Sequence, residues 1–158
     1  MSIKLTIYGK TDKGLVRSGN EDYLHLDNQN HVYAVCDGMG GHQAGEVASM
    51  TASQILQTTF DNLREKMLQD PLIRLSRSLP ENGELLLKAI RLANRAIVTK
   101  AMLDTSLSGM GTTIVAVTFD NDMMSVAHVG DSRAYQIEEK QLKPLTTDHS
   151  WVDRKSVV

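Results

Sequence analysis

Residues 32–49 read VYAVCDGMGGHQAGEVAS. An apolar run ends on an acid, Asp37. Gly38, Gly40 and Gly41 crowd around it, His42 follows, and a helical pattern opens at Ala44. Glycine at that density marks backbone that must take positive φ or approach something closely. An acid at the end of a buried strand points to a cation or a proton as that something.

The flanking sequence supplies the frame. DYLHLD (Asp22–Asp27) alternates, with Tyr23 and His25 opposite Leu24 and Leu26. NQN then turns the chain into HVYAVCD, which predicts an antiparallel hairpin ending at Asp37. IKLTIYG predicts another strand over Ile3–Tyr8. After Ala44 the period changes. Val47, Ala48, Thr51, Ile55, Thr59, Leu63 and Met67 recur at three and four, the face of a long helix that stops before Pro71. LIRLSRSLP (Leu72–Pro80) reads as a loop and Asn82 as the N-cap of a second helix. Leu86, Ala89, Ile90, Ala93, Ile97 and Ala101 carry that helix to about Leu103, and SLSGMG is a glycine-punctuated loop.

Three strands are expected next. TTIVAVTF (Thr112–Phe119) is apolar enough to be buried on both faces. DND turns it into MMSVAHVGD, and a third strand begins in SRAYQIEEKQLKPLT, with a turn at Glu138–Lys140. Strands, then helices, then strands indicate an α+β fold with antiparallel sheet and helices packed on it.

The 158 residues fit one domain, 1–158, with one core. Seventeen Lys and Arg against nineteen Asp and Glu give a formal charge of −2, so electrostatics offers no reason to expect nucleic acid or an anionic membrane as partner. No run of about 18 apolar residues suggests a membrane span, and the N-terminus lacks the features of a signal peptide. The single cysteine, Cys36, has no internal disulfide partner, which makes a reducing, cytoplasmic location the default. Cys36 reads as a small buried strand residue, His128 as structural, and Met110, Met123 and Met124 as core filling.

Acids fall at three strand ends: Glu21 and Asp22, Asp37, and Asp131. Taken singly, each is ordinary turn chemistry. Taken together, at the rims of predicted strands, they favour a hard divalent cation with oxygen ligands. Competing motifs fail. Glu46 stands where a P-loop needs lysine, Gln43 replaces the third glycine of a dinucleotide fingerprint, one cysteine excludes zinc-type Cys/His spacing, and there is no G-x-S-x-G elbow.

Four stretches then coincide in order. GLVRSGNEDY (Gly14–Tyr23), VYAVCDGMGGHQAGEVAS, GTTIVAVTFDNDMMSVAHVGDSRAY (Gly111–Tyr135) and PLTTDHS resemble the metal-dependent Ser/Thr protein phosphatases of the PPM, or type 2C, family, most of all its bacterial branch. The resemblance implies an antiparallel β-sandwich flanked by helices. It implies two Mn²⁺ or Mg²⁺ ions, with Asp37 bridging them, the Gly38 carbonyl on one, Glu21 reaching the second and Asp22 in support. Asp131 matches an acid that helps hold a weaker third ion. Arg17 would grip the substrate phosphate, and His42 lies near the family's candidate general acid. Two ions about 3.5–4 Å apart would activate a bridging water for in-line attack on phosphorus. The substrates implied are phosphoproteins, including the targets of a cognate Ser/Thr kinase.

The pattern departs from the family after PLTTDHS. The family's second half supplies further strands and two more metal-binding aspartates, which this chain lacks, so the domain reads as incomplete at its C-terminal end. Two expectations follow: an exposed sheet edge that favours self-association, and an alternative reading as a catalytically impaired fragment that serves as a binding or assembly module.

Overall fold

The computed structural model describes residues 4–40, 43–62 and 79–149. β1 (Asp22–Asp27) and β2 (Val32–Met39) form the expected hairpin, with Asp22 opposite Asp37 and Asp27 opposite Val32. Its turn is built by the Asp27 carboxylate, which accepts the backbone N–H groups of Gln29 and Asn30. α1 (Ala44–Asn62) and α2 (Glu81–Leu103) follow. A single 3₁₀ turn at Thr105–Leu107 leads to β3 (Gly111–Thr112), β4 (Ile114–Asp120) and β5 (Met123–Val129). β6 (Tyr135–Glu138) and β7 (Gln141–Pro144) make a separate hairpin, tightened by positive φ at both Glu139 and Lys140.

The main sheet is antiparallel, ordered β1-β2-β4-β5, with the short β3 extending the pairing of β2. α1 and α2 cover one face. Alternation along the strands sends Val32, Ala34, Cys36, Ile114 and Ala116 towards Ala48, Ala52, Leu56 and Phe60 of α1 and Leu85, Leu86, Ala89 and Ala93 of α2. Cys36 is fully buried there, and burial pushes its thiol up to about 12, so it packs rather than reacts. The opposite face carries Leu24, Leu26, Val35, Val117 and Met124. Leu26, Val35 and Met124 remain 46%, 41% and 41% exposed. The α+β class and the helical layer are as expected.

Local expectations fared unevenly. Residues 4–8 form no strand, and Tyr8 is 90% exposed. Alternation alone is insufficient, because a strand also needs a ladder partner. Asn82 is not the cap. Pro80 holds that position at φ −56°, and Asn82 sits inside the first turn, donating from Nδ2 to the Phe119 carbonyl at 2.8 Å. Met110 is in the core, but Met123 and Met124 are exposed on the edge strand β5. The central apolar run is interrupted at Thr113. Leu63, Met67 and most of Leu72–Pro80 lie outside the described residues.

Candidate active site

The register assembles the site. Asp22 pairs with Asp37 across β1 and β2. The β2–β4 register (Val35 opposite Val115) and the β2–β3 register (Gly38 opposite Thr112) together set Thr113 opposite Asp37. The β4–β5 register (Ile114 opposite Val129) sets Gly130 opposite Thr113. One row therefore crosses the end of the sheet: Asp22, Asp37, Thr113, Gly130. Side chains opposite one another share a face, here the face away from the helices.

The loop before β1 forms the wall beside this row. Asn20 accepts the Asp22 N–H at 3.1 Å and donates to Thr11 at 2.8 Å, which fixes the entry into β1. The Gly38 N–H donates to the Glu21 carbonyl at 3.1 Å. Arg17 donates to the Glu21 carboxylate at 3.3 Å. Asp12, Lys13, Arg17, Glu21, Asp22 and Asp37 line an open polar cleft of about 230 Å³.

The glycines resolve into contacts. A Cβ on Gly38 would stand 2.1 Å from the Gly45 carbonyl oxygen, so the start of α1 lies directly against β2 there. Gly40 has φ +140° and passes against the Met110 backbone, where a Cβ would meet Cα at 2.9 Å. The main chain beside Asp37 is thus compressed between helix and strand.

The electrostatics centre on Asp37. Its carboxyl is raised above its ordinary value by burial first, then by the charge of Asp22 and a side-chain hydrogen bond with it. Arg17 pulls the other way, and the Asp131 charge adds to the rise. Two carboxyls within hydrogen-bond reach of one another, with a third acid nearby, make a site in which a cation relieves repulsion. That donor set fits a hard divalent ion. Among the described residues no three His, Cys, Asp or Glu side chains are grouped closely enough to hold a metal ion together. The fit is to a seat of two carboxylates, with Glu21 turned to Arg17.

The structure thus brings Arg17, Glu21, Asp22, Asp37 and Gly38 together. Asp131 sits in the loop after β5 and reaches Asp37 through its charge. His42 lies outside the described residues. Sequence reasoning missed Asn20, Thr113 and Ser132. Asn20 had an available signal, an Asx residue two before a strand start. Thr113 and Ser132 had none beyond ordinary strand and turn composition.

Comparisons with known proteins identify the family and the fold. Residues 10–155 match the family described as Protein phosphatase 2C. The chain is similar to the serine/threonine protein phosphatase PstP of Mycobacterium tuberculosis, 34% identical over 155 residues that make up 96% of this chain and 26% of that protein. It is 37% identical to the serine/threonine phosphatase stp of Listeria monocytogenes over 147 residues, 90% of this chain and 54% of the relative. Among solved structures, the PstP catalytic domain in complex with two manganese ions superposes with a TM-score of 0.74 at 33% identity, covering 92% of this chain and 56% of that one. Stp1 of Staphylococcus aureus gives 0.71 at 35%, covering 92% and 54%. The chain spans about half the length of the Listeria relative and of these solved structures. With the family match running over nearly all of its residues, the chain belongs to the protein phosphatase 2C family.

Proposed function

We propose that residues 1–158 form one phosphatase-type unit whose site serves metal-dependent hydrolysis of phosphoserine and phosphothreonine on proteins. The carrying observation is the Asp22–Asp37 pair, held face to face in a cleft that also holds Arg17, in a chain of this family. Asp37 and Asp22 would hold Mn²⁺ or Mg²⁺, with the Gly38 carbonyl as a neutral ligand and Glu21 released from Arg17 to join them. Bound ions would lower the pKa of a water so that hydroxide is available to attack phosphorus.

The other residues orient the substrate. Arg17 spends one donor on Glu21 and keeps further guanidinium N–H groups for a phosphate arriving in the cleft. Asp131 adds negative charge on the far side of Asp37, where a weaker third ion would bind. His42 takes the role of general acid to the leaving serine or threonine oxygen.

The substrates are phosphoproteins, the targets of a cognate kinase among them. No helix of the described residues is long and apolar enough to cross a membrane, and a reducing cytoplasm suits the lone buried thiol. The family and the relatives' activities give the binding-module alternative no support.

Phosphate release from a phosphothreonyl peptide tests this reading. In a chain that also carries the segment found in the relatives beyond this length, release should require Mn²⁺ and disappear in Asp37→Ala. The 158-residue chain alone should run near background, since a two-carboxylate seat leaves the ions poorly placed. Metal-independent release, or release unaffected by Asp37→Ala, would refute it.

A further inference from the structure

We infer that Thr113 is a positioning residue for the Asp37 site, through a hydroxyl that replaces a sheet hydrogen bond and ties the site to the loop carrying Asp131. The inference rests on reading Asp37 as a metal ligand.

At an ordinary antiparallel position of this kind, two opposed residues exchange N–H···O=C bonds in both directions. Asp37 and Thr113 exchange only one. The Thr113 N–H donates to the Asp37 carbonyl at 2.9 Å. The Asp37 N–H donates instead to Thr113 Oγ1 at 3.1 Å. The Thr113 carbonyl is taken by the Thr112 hydroxyl at 2.8 Å. The ladder thus opens at the residue whose side chain would hold metal, and a side-chain oxygen closes it. This is why β3 and β4 are separate strands in an otherwise continuous register.

The same hydroxyl reaches Ser132 Oγ at 2.6 Å. Ser132 is next to Asp131, so one oxygen links the Asp37 main chain to the loop of the third acid. Gly130 completes the fit. Its φ is +105°, and a Cβ there would stand 2.7 Å from Thr113 Cγ2. The methyl is held on one side while the hydroxyl faces Asp37 and Ser132. The Asp37 carboxylate branches from the Cα at the end of the peptide unit that this bond orients, and the Gly38 carbonyl follows two peptide units along the same strand.

Groups that orient metal ligands from one shell out typically contribute about 10–100-fold to metal affinity. The test uses the 158-residue chain and needs no turnover: Mn²⁺ affinity by electron paramagnetic resonance of the free ion, and amide hydrogen exchange at Asp37. Thr113→Val keeps shape and strand propensity but removes the oxygen. It should weaken Mn²⁺ binding about tenfold or more and speed exchange at the Asp37 amide, while Thr113→Ser restores both. Ser132→Ala, which cuts only the far end of the bridge, should weaken Mn²⁺ by less. Asp37→Ala separates the two levels of the argument. If the parent chain binds Mn²⁺ and Asp37→Ala does not, unchanged affinity in Thr113→Val overturns the positioning role alone. If Asp37→Ala binds as the parent does, the metal reading falls and takes this role with it. Should Thr113→Val not fold, unchanged affinity in Ser132→Ala overturns the bridge.

Discussion

Asp22 and Asp37 are cross-strand partners, Asp22 opening β1 and Asp37 two residues before the end of β2, and the main-chain N–H of each is held by a neighbouring side chain. Like charges opposite one another destabilise a sheet, so the pair is a local cost that a bound cation would remove. Asp22→Asn tests this in both states of the site. In the metal-free chain the Asp37 carboxyl should titrate lower than in the parent, because one source of its upward shift is gone. Mn²⁺ should nevertheless bind more weakly, because the seat has lost a charge. Carbon-detected carboxyl titration and calorimetry read the two effects. An unchanged Asp37 titration would show that the carboxyls do not interact.

Arg17 should act on substrate rather than on stability. Its side chain is 68% exposed and its pairing with Glu21 is single and long. Arg17→Ala should leave the melting temperature within about 1 °C, as for an exposed pair of negligible worth. In an active, longer chain it should raise KM for a phosphopeptide by roughly tenfold, about 1.5 kcal/mol for a charged hydrogen bond to phosphate. Steady-state kinetics with unchanged KM and kcat would remove Arg17 from the phosphate site.

Stability should fall as pH drops below the ordinary histidine range. His25 lies between β1 and α1, 6% exposed, with Nδ1 on Ser53 at 2.9 Å and Nε2 without a partner. Burial lowers its pKa from 6.5, against the opposing pull of Asp27 and Asp61. A histidine depressed in the folded state binds its proton more readily when unfolded. The stability tied to its neutral form is therefore full above pH 6.5 and is lost progressively below it, with a slope of up to about 1.4 kcal/mol per pH unit. Thermal melts from pH 7.5 to 5.5 should show this slope, and His25→Gln should flatten it. Equal slopes in parent and variant would mean that His25 stays neutral, or titrates alike, in both states.

Apolar side chains left half exposed on the sheet face away from the helices predict self-association. Leu26, Val35 and Met124 lie on it, about half exposed, across three strands. Light scattering at high concentration should show oligomers of the 158-residue chain, and Val35→Lys should shift them towards monomer. A monomer at high concentration with a cooperative melt would show that the face is closed some other way.

What could be read from sequence was what local periodicity controls. The β1–β2 hairpin, both helices and the β6–β7 turn follow from alternation, three-four spacing and turn chemistry over short stretches. The acids could be grouped because each sits at a strand end next to glycine. What failed needed a partner from elsewhere. Residues 4–8 alternate but find no ladder. Asn82 looks like a cap, yet Pro80 starts the helix and Asn82 is used across the interface with Phe119. Met123 and Met124 are as apolar as core residues and sit on an edge. Thr113 is invisible in sequence because threonine is common in strands. Only the register shows that its hydroxyl stands where a carbonyl would.

The claim that the Asp22–Asp37 row is a divalent-metal seat is tested most directly by Mn²⁺ calorimetry on the 158-residue chain and its Asp37→Ala variant. Binding to the parent should be weak but measurable, as expected of a two-carboxylate seat, and absent in the variant over the same concentrations. Equal Mn²⁺ binding by the two chains would contradict it.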